Sequence, residues 1–409
     1  MLVDLRRVFL FGAVCAAGLM NGCSRAAPAT SAAEVANLPW DSIVHRARGT
    51  TVIWRMWRGD PSVNAFVDKW VAPRVLAEYG VTLQAVSGQG SELVDQLTVE
   101  KQSGAKVGTA SLLWINGETF GALRSRQLLA GPWSAVLPAA ALVDSASPII
   151  SRDFEQDPGG FESPYGTVQM ALIYDSTRTP QPPRTVNELA QWIRAHPGRF
   201  TYDQSFTGIT FLKGVMYAQG GGVDRFKGGF DSTIYLAART RLFAWLDSLK
   251  PSLWRKGTQY PADVAAMHRL FANHEIDFSL SNNQNEAVTK ALQGVLPATS
   301  RALVLRDGTL ANAHYLGIPA NAPNAAGAMV IANFLLSPAA QLEKQRPTVW
   351  ADGTVLDLSR LPAEWRVRFD SVVKDPRLVP ADTLRRYARP EVSPRYHERL
   401  TDDWRRMIR

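Results

Sequence analysis

The feature that most constrains the fold is an alternation of strand-like and helix-like segments that starts at residue 50. Thr50–Met56 is β-branched and aromatic, which predicts a strand. Asp60-Pro61 follows as a helix N-cap and first helical residue, and Gly80 ends that helix. The alternation continues with strands at Val81–Val86 and Ala110–Ile115 and a helix at Ser91–Ser103. A β-α-β-α-β run of this kind predicts α/β lobes with largely parallel sheets.

The remainder of the chain repeats this pattern and is long enough for a second lobe. With 409 residues, the chain exceeds one ordinary core and suits two lobes of roughly 150–200 residues each. Hydrophobic residues make up 46% and charged residues 20%, which is the balance of a folded globular protein. Further strands are predicted at Gly166–Asp175, Arg199–Tyr202, Ile276–Leu280 and His314–Pro319, and an apolar helix at Asn324–Leu336.

The N-terminus has the pattern of an export signal. Arg6 and Arg7 form a short positive segment, and Val8–Met20 is an apolar run of 13 residues. A helix needs about 20 apolar residues to span a bilayer, so this run is too short for a stable membrane helix. Residues 1–22 are therefore predicted to be a secretory signal peptide.

Cys23 directly follows this segment and is a candidate for lipidation. Asn21-Gly22-Cys23 resembles a bacterial lipobox, although Met20 stands where Leu is usual. The alternative is an ordinary signal peptide cut after the alanine-rich stretch that follows. We expect residues 23–49 to hold the lipid and a flexible tether. The other cysteine is Cys15, so the body has no disulfide, thiolate metal site or cysteine nucleophile.

The basic charge does not indicate nucleic-acid binding. The formal net charge is +8 and the pI is about 9.6, but most Lys and Arg residues are spread along the chain. The densest arginine group is interleaved with acidic residues, which favours a solvated face of terminal helices: Arg385, Arg386, Arg389, Arg395, Arg399, Arg405, Arg406 and Arg409, with Glu391, Glu398, Asp402 and Asp403.

Four segments match a known family of transport proteins. They are Trp57-Arg58-Gly59-Asp60-Pro61, Leu113-Trp114-Ile115-Asn116-Gly117-Glu118, Gly166–Asp175, and Leu316-Gly317-Ile318-Pro319-Ala320-Asn321-Ala322-Pro323. With them, residues 52–342 resemble bacterial extracellular solute-binding proteins of family 1 and the type II class. Within that class the chain resembles the YnjB-like ABC-transporter substrate-binding proteins. One departure is Arg58, where the family pattern has Gly.

This resemblance implies a two-lobed α/β fold of the type II periplasmic-binding class, with hinge strands between the lobes. Lobe one would hold residues 50–165, and lobe two residues 166–315 including the hinge strands. Residues 316–409 would return to lobe one and supply C-terminal helices. The implied function is to bind a small ligand between the lobes and deliver it to an ABC permease and its ATPase. The protein would be exported, lipid-anchored, monomeric and free of cofactors.

Polar and aromatic residues at the strand ends are the candidate ligand contacts, because ligands of open α/β sheets bind at those ends. They are Trp57, Asp60, Trp114, Asn116, Glu118, Tyr165, Asp203, Thr207, Asn283, Asn285 and Tyr315. Each has a structural alternative. The aromatic residues can belong to the core, Asp60 and Glu118 can cap helices, and the asparagines can form turns. Thr207 opens a helix whose free N–H groups could bind an anion.

The aromatic rings and carboxylates of this set suit an organic cation, such as a thiamine-like compound or a polyamine. Motifs of metalloproteases, serine hydrolases and nucleotide-binding loops are absent from the sequence, and its six histidines are scattered. The competing interpretation is an exported hydrolase that uses Asp60 or Glu118 as a general acid or base. A weaker alternative is a sensor or adhesin lipoprotein that has lost transport.

Overall fold

The computed structural model describes residues 32–372 and 374–407. The predicted signal peptide, Cys23 and the first part of the predicted tether lie outside this range. The tether was expected to extend to residue 49, but the chain is already folded from Ala32 onwards. The first two helices bury Ala32, Val35, Ile43 and Ala47 against the core of lobe one.

Among residues 32–372 and 374–407, nine strands form two sheets. The larger, six-stranded sheet has the order β2-β1-β3-β8-β4, with β9 paired to β8; the smaller has the order β6-β5-β7. The strands are β1 Thr51–Met56, β2 Thr82–Ser87, β3 Leu112–Ile115, β4 Glu162–Gln169, β5 Ala171–Asp175, β6 Phe278–Ser281, β7 Ser300–Leu303, β8 Thr309–Gly317 and β9 Ala388–Pro390.

Seventeen α-helices cover these sheets in the part of the chain that the structure describes. They are α1 Ala32–Ala36, α2 Trp40–Ala47, α3 Pro61–Ala65, α4 Ala72–Tyr79, α5 Gly90–Gln102, α6 Gly117–Ser125, α7 Pro148–Ser151, α8 Val186–Ala195, α9 Phe206–Gln219, α10 Ser232–Leu249, α11 Val264–Ala272, α12 Glu286–Leu292, α13 Ala325–Leu335, α14 Pro338–Gln345, α15 Ala363–Val372, α16 Ala381–Tyr387 and α17 Pro394–Met407.

Each sheet carries its own hydrophobic core, which defines two lobes. Lobe one is built on the larger sheet, whose two faces are covered by separate cores. Successive residues of β3 show this: Leu112 packs on one face and Leu113 on the other, as the period of two along a strand requires. Lobe two is built on the smaller sheet, with its core formed mainly by α8–α12 and α17.

The chain crosses between the lobes several times. β4 belongs to the larger sheet and leads through Met170 into β5, the central strand of the smaller sheet. β8 runs back from Leu310 in the core of lobe two to Leu316 in the core of lobe one. The last helix, α17, packs Tyr396 and Trp404 into the core of lobe two. α17 therefore belongs to the core of lobe two, whereas residues 316–409 were expected to return to lobe one.

The sequence predicted the first helix of the β-α-β run and its ends well. Asp60 is the N-cap, its side chain accepts a hydrogen bond from Ser62 N at 2.6 Å, and Gly80 ends the helix with φ +67°. Within that span, however, Phe66–Val71 adopts a π-helical turn between α3 and α4.

Other strand predictions were wrong in detail. The expected strand Gly166–Asp175 is two strands, broken at Met170, where the chain leaves one sheet for the other. Arg199–Tyr202 is not a strand, since its main-chain partners are isolated: Arg199 O accepts from Asp277 N, and Phe200 O accepts from Trp254 N. The sheets are also less parallel than expected, because β8 is antiparallel to β3 and β4 and the smaller sheet is wholly antiparallel.

Among the described residues, no single helix combines the length and apolar composition needed to cross a membrane. α13 and α14 reach that length only as a pair, and they are bent by 62° relative to each other. α13 is a buried helix of the lobe-one core, with Met329, Val330 and Ile331 inaccessible to solvent.

Candidate functional site

The two lobes meet along a line of polar contacts, which we call the interlobe seam. Its most buried ion pair joins Asp60 of lobe one to Lys290 on α12 of lobe two, with 2.6 Å between Oδ2 and Nζ. Beside it, Ser62 Oγ accepts a hydrogen bond from Gln293 Nε2 at 2.9 Å. Asp60 thus caps α3 and also pairs with the opposite lobe, and its role as a ligand contact stays a prediction.

Two of the predicted asparagines lie on the same seam. Asn283 donates from Nδ2 to the carbonyl of Trp350 at 3.1 Å, and Asn285 donates to the carbonyl of Ala351 at 3.2 Å. Trp350 and Ala351 belong to lobe one, whereas the asparagines follow β6 of lobe two. Asn285 Oδ1 is buried and has no hydrogen-bond partner among the described residues. It is a free acceptor at the seam.

Trp57 is half-buried at the end of β1, where it packs against the lobe-one core and over Gly59. A Cβ on Gly59 would lie 2.6 Å from the indole nitrogen, so glycine is needed for this approach. Arg58, the departure from the family pattern, does not extend over Trp57. Its guanidinium makes two hydrogen bonds to Asp68, at 2.6 and 3.1 Å.

The end of β3 contacts the C-terminal helix. Asn116 is the residue before α6 and is partly exposed, and Glu118 lies in the first turn of that helix. The Glu118 carboxylate retains 40% of its side-chain surface and lies 3.4 Å from Nε2 of His397 on α17. Burial lowers the pKa of His397 well below its ordinary value, and the nearby charge of Lys213 lowers it further. The lowered pKa favours the neutral imidazole, so this contact is a close approach of two polar groups and not an ion pair.

The N-terminus of α9 is occupied by its own capping groups. Asp203 is inaccessible to solvent, and its Oδ1 accepts hydrogen bonds from Ser205 N at 2.8 Å and Gly208 N at 3.3 Å. Burial raises the pKa of Asp203, and these hydrogen bonds oppose the rise. Thr207 accepts a hydrogen bond from Asn282 at 3.0 Å. A carboxylate already occupies the N–H groups considered for an anion, so an anion site there is disfavoured.

Trp114 belongs to an aromatic cluster inside lobe one. Its ring centroid lies 5.2 Å from that of Tyr165, 4.9 Å from that of His314 and 5.8 Å from that of Trp350. The ring centroid of Trp54 lies 6.5 Å from that of Trp114 in a stacked arrangement, and Trp54 is fully buried. The cluster directly underlies the Trp350 carbonyl, which accepts the hydrogen bond from lobe two.

A buried polar triad lies against this cluster. His314 Nε2 is 2.9 Å from one carboxylate oxygen of Asp352, and Lys344 Nζ is 2.8 Å from the other. Burial lowers the pKa of Lys344, while the Asp352 charge raises it. His314 lies on the crossing strand β8, and Asp352 follows the segment that contacts lobe two. The triad therefore fixes that segment to β8.

Two predicted contacts are too buried to reach a ligand in this arrangement. Tyr165 is 1% exposed within the aromatic cluster, and burial raises its pKa well above the ordinary value. Tyr315 is inaccessible, and its hydroxyl donates to the carbonyl of Ile150 at 2.7 Å. In this arrangement both tyrosines are core residues, and their roles as direct ligand contacts stay predictions. The strand pattern could not separate them from cleft aromatics.

A cavity of about 690 Å³ lies where both lobes meet the C-terminal segment. Phe154, Glu155 and Lys227 are in its walls, together with Glu391. Glu391 is 5% exposed and lies 2.7 Å from Nζ of Lys213 on α9. Burial raises the pKa of Glu391, and the charge of Lys213 counteracts this.

Several residues at or near the seam and the cavity were not found from the sequence. Lys290 and Lys213 lie inside helices with no local motif. Glu391 and His397 fall in the arginine-rich stretch that was interpreted as a solvated face. Six of its arginines are indeed exposed, but Glu391, His397 and Asp403 are buried beneath them. Mixed charge near a C-terminus carries no signal that separates these two environments. The described residues contain no group of three or more His, Cys, Asp or Glu side chains arranged to hold a metal ion.

Comparison with known proteins gives one family and one close relative. The family described as bacterial extracellular solute-binding protein matches residues 71–365. Protein YnjB of Escherichia coli strain K12 is 37% identical over 327 residues, which cover 79% of this chain and 84% of YnjB.

Solved structures share the fold at low identity. PotD, a spermidine/putrescine ABC-transporter substrate-binding protein from Streptococcus pneumoniae, has a TM-score of 0.61 at 13% identity, with 88% of this chain and 100% of PotD covered. Iron-bound HitA from Pseudomonas aeruginosa has a TM-score of 0.59 at 18% identity, with 87% and 99% covered. A putative spermidine/putrescine transporter from Listeria monocytogenes has a TM-score of 0.58 at 15% identity, with 88% and 99% covered.

Proposed function

Because the chain belongs to the bacterial extracellular solute-binding protein family and is YnjB-like, we propose that it binds a small polar ligand between its lobes and delivers it to an ABC permease with its ATPase. The two-lobed type II fold expected from the sequence is confirmed. Family and fold are those of transport proteins, which disfavours the hydrolase alternative. Of the two carboxylates considered for hydrolysis, Asp60 is also paired with Lys290.

One observation carries this proposal: the strand ends of lobe one and the α12 region of lobe two meet in direct polar contact. Asp60 pairs with Lys290, and Asn283 and Asn285 reach carbonyls of the opposite lobe. Such contacts form only when the lobes are together. A ligand that bridges the same surfaces stabilises that arrangement and shifts the population towards it.

The crossing strands are the natural hinge. The junction of β4 with β5 and the strand β8 connect the two cores. Rotation about them separates Asp60 from Lys290 without disturbing either core. Lobe closure then gives the permease a surface that differs between the ligand-bound and ligand-free protein.

The ligand we favour is a small organic cation, with thiamine-like compounds and polyamines as the classes to test first. Trp57 offers a partly exposed ring, and Glu118 a partly exposed carboxylate, on the same edge of lobe one. Cation–π contact and a charge-assisted hydrogen bond together suit a cationic nitrogen. Asn116, Asn283 and Asn285 would add amide contacts from the two sides.

The family is extracellular, so the protein acts outside the cytoplasm. We further propose that residues 1–22 are removed as a signal peptide, that Cys23 carries the lipid anchor and that the mature protein is a monomer. Mass spectrometry of the mature N-terminal peptide tests the anchor. Loss of the acyl mass in Cys23→Ala supports it, whereas an unmodified N-terminal peptide from the membrane fraction contradicts it.

Native mass spectrometry of the freshly purified protein is the first test of the receptor role. A co-purifying molecule gives a mass, and titration calorimetry with the identified compound gives its affinity. We expect Trp57→Ala and Glu118→Ala to weaken binding by about tenfold or more each, since aromatic and charge-assisted contacts contribute roughly 1–3 kcal/mol.

Trp365→Ala and Glu364→Ala on α15 are the matched controls, because they make the same chemical changes outside the seam. Their affinity should equal that of the wild type. If Trp57→Ala and Glu118→Ala both bind the ligand with wild-type affinity, the ligand does not bind at this edge of the cleft. Chemical conversion of the bound compound by purified protein would replace the receptor proposal with an enzyme.

A further inference from the structure

The 690 Å³ cavity differs from the seam in its walls and its chemistry. Its walls come from residues 148–156 of lobe one, residues 227–229 of lobe two, and residues 390–394, which lead into α17. Ligand pockets commonly have volumes of roughly 300–1,000 Å³ and lie between domains. The cavity therefore has the size and position of a ligand site.

Glu391 provides a free acceptor in this wall. The side chain is 5% exposed, and its Oε2 lies 2.7 Å from Lys213 Nζ. No donor among the described residues makes a hydrogen bond to Oε1. A buried carboxylate oxygen without a donor is costly, so a donor supplied by a ligand would be favoured.

The surrounding charge is negative. Asp153 and Glu162 are each 1% exposed and interact electrostatically with one another, and Asp153 also interacts with Glu391. No side chain among the described residues donates to either of the first two carboxylates. Lys213 is the buried cation of this group, and Arg124 acts on Glu162 from α6. The three carboxyl groups, Asp153, Glu162 and Glu391, therefore outnumber the two cationic groups that act on them.

The basic residues at the cavity entrance do not correct this imbalance. Arg152 is directed to Asp157 at 3.6 Å, and Lys227 pairs with Asp224. All four of these side chains are largely solvated. Exposed pairs of this kind are screened and contribute little to the potential at a buried group. The interior remains acidic.

The rest of the wall is apolar. The ring of Phe154 lies 4.7 Å from Lys213 Nζ, a distance at which an aromatic face attracts a cation. Pro148 and Pro390 continue this surface. An aromatic face with proline rings suits the carbon body of a ligand, and the carboxylate beside it suits a charged end.

We propose that this cavity binds the ammonium end of a protonated primary or secondary amine, which draws the buried Glu391 side chain towards the cavity and donates an N–H to its Oε1, while the carbon body packs on Pro148 and Pro390. This deepens the proposed receptor function and rests on it, because the cavity would hold one end of the transported solute or a second solute molecule. The residues that define it, Glu391, Phe154 and Lys213, lie outside the seam contacts described above.

The geometry selects an N–H donor over other cations. A quaternary ammonium would gain the charge attraction but could not satisfy the free oxygen of Glu391. A bound metal ion would need several ligands converging on one point, and the described residues contain no such group. Burial raises the pKa of Asp153, Glu162 and Glu391, so an ammonium group that stabilises the carboxylates should release protons on binding.

The test uses three probes with the same six-carbon body: hexylamine, hexyltrimethylammonium and 1-hexanol. Titration calorimetry of the full-length protein in detergent should rank hexylamine tightest by about tenfold or more, because it alone combines a positive charge with a hydrogen-bond donor. Calorimetry in two buffers of different ionisation enthalpy should show protons released with hexylamine. Equal affinity for all three probes would overturn the proposal.

Two variants should change the affinity for hexylamine in opposite directions. Glu391→Gln removes the negative charge of the acceptor and should weaken hexylamine binding about tenfold or more. Lys213→Met removes the internal cation that competes for Glu391, so it should strengthen hexylamine binding. A residue that only supports the fold would weaken binding in both cases. Glu364→Gln on the exposed face of α15 is the control and should bind as the wild type does.

Glu391→Gln alone leaves Lys213 buried without a partner and could unfold the protein. The double variant Glu391→Gln/Lys213→Met removes both charges, and thermal unfolding checks that it folds. We expect it to bind hexylamine no better than 1-hexanol. If the double variant still binds hexylamine more tightly than 1-hexanol, the proposed amine site is wrong.

The outcome can be separated from failure of the receptor function. Binding of hexylamine that depends on Glu391 in a protein without ligand-induced lobe closure would keep the amine site and reject the receptor proposal. A co-purified solute whose affinity falls in Trp57→Ala but is unchanged in Glu391→Gln, together with no selectivity for hexylamine, would keep the receptor and reject the amine site.

Discussion

Lys290 Nζ of lobe two lies 2.6 Å from Asp60 Oδ2 of lobe one, and both side chains are about nine-tenths buried. The pair joins the first loop of the β-α-β run to the helix α12 in the other lobe. Asp60 is held from its own side by Ser62 N, so its position does not depend on Lys290. Closure of the lobes thus brings a cation to a carboxylate that the fold of lobe one has already placed.

Replacing Lys290 by Met should favour the open protein. The variant keeps the length of the side chain but leaves Asp60 buried without a cation when the lobes close, and breaking a buried pair in this way costs about 3–5 kcal/mol. In the open protein Asp60 is hydrated, so the cost falls on closure and not on folding. Small-angle scattering should give a larger radius of gyration, and the affinity for the co-purified ligand should fall.

Lys69→Met is the control for this experiment, because Lys69 is exposed in the π-helical turn of lobe one. It should match the wild type in radius of gyration and in affinity. A Lys290→Met protein that is as compact as the wild type would show that the pair does not govern closure.

The Asp60 side of this pair was predictable from the sequence, and the Lys290 side was not. Asp-Pro before an apolar periodic segment specifies an N-cap through local hydrogen bonding, and Asp60 fulfils it. The neighbouring seam contact, Ser62 with Gln293, joins residues 231 positions apart. No local pattern encodes a partner at that separation, because the contact depends on how two complete lobes dock.

The same limit explains the aromatic and strand predictions. Tyr165 lies inside β4 and is core, whereas Trp57 directly follows β1 and is half-exposed. Tyr165 falls at a β-bulge between Pro164 and Gly166, where the register to β8 shifts, and its strand sequence alone does not show this. Likewise, Arg199–Tyr202 has strand-forming residues but finds only isolated main-chain partners. Strand propensity shows that a residue fits a pleated surface. It does not show whether a neighbouring strand is present to pair with it.

Arg58 should matter little for ligand affinity despite its place beside Trp57. Its guanidinium is committed to Asp68, and a partly exposed pair of this kind contributes about 0.2–1 kcal/mol. We therefore expect Arg58→Gly to change ligand affinity by less than about twofold, measured by titration calorimetry, and to lower stability only slightly. A tenfold change would mean that the side chain leaves Asp68 and reaches the ligand.

Gly166→Ala should be strongly destabilising. An added Cβ would collide with Oδ2 of Asp352 and lie 2.7 Å from Cδ2 of His314, so the buried triad with Lys344 would have to move. Inserting an atom into a packed site costs about 1–3 kcal/mol, and loss of the ion pair adds to this. Urea unfolding should show a lower free energy of unfolding than that of the wild type.

Gly214→Ala in α9 is the matched control for this substitution. Nothing lies within 4 Å of a Cβ added there, and alanine is favoured over glycine inside a helix by about 0.5–1 kcal/mol. The control should therefore be neutral or more stable than the wild type. A Gly166→Ala protein of wild-type stability would show that Asp352 can shift without breaking the triad.

Glu286, at the start of α12, should govern part of the acid stability. Burial acts to raise its pKa, but the charge and hydrogen bond of His268, together with Lys290 and Ser281, outweigh this and hold the pKa at about 2 against an ordinary value of 4.5. Because the folded-state pKa is depressed, the stabilisation is complete above about pH 4.5 and is lost as the pH falls towards 2. Urea unfolding across this window should show that the free energy of unfolding falls less steeply with decreasing pH in Glu286→Gln than in the wild type.

Glu275→Gln is the control, because Glu275 is an exposed residue of the same lobe, and its free energy of unfolding should fall with pH as steeply as that of the wild type. If the free energy of unfolding falls with pH as steeply in Glu286→Gln as in the wild type, the loss of stability in acid arises from other carboxylates.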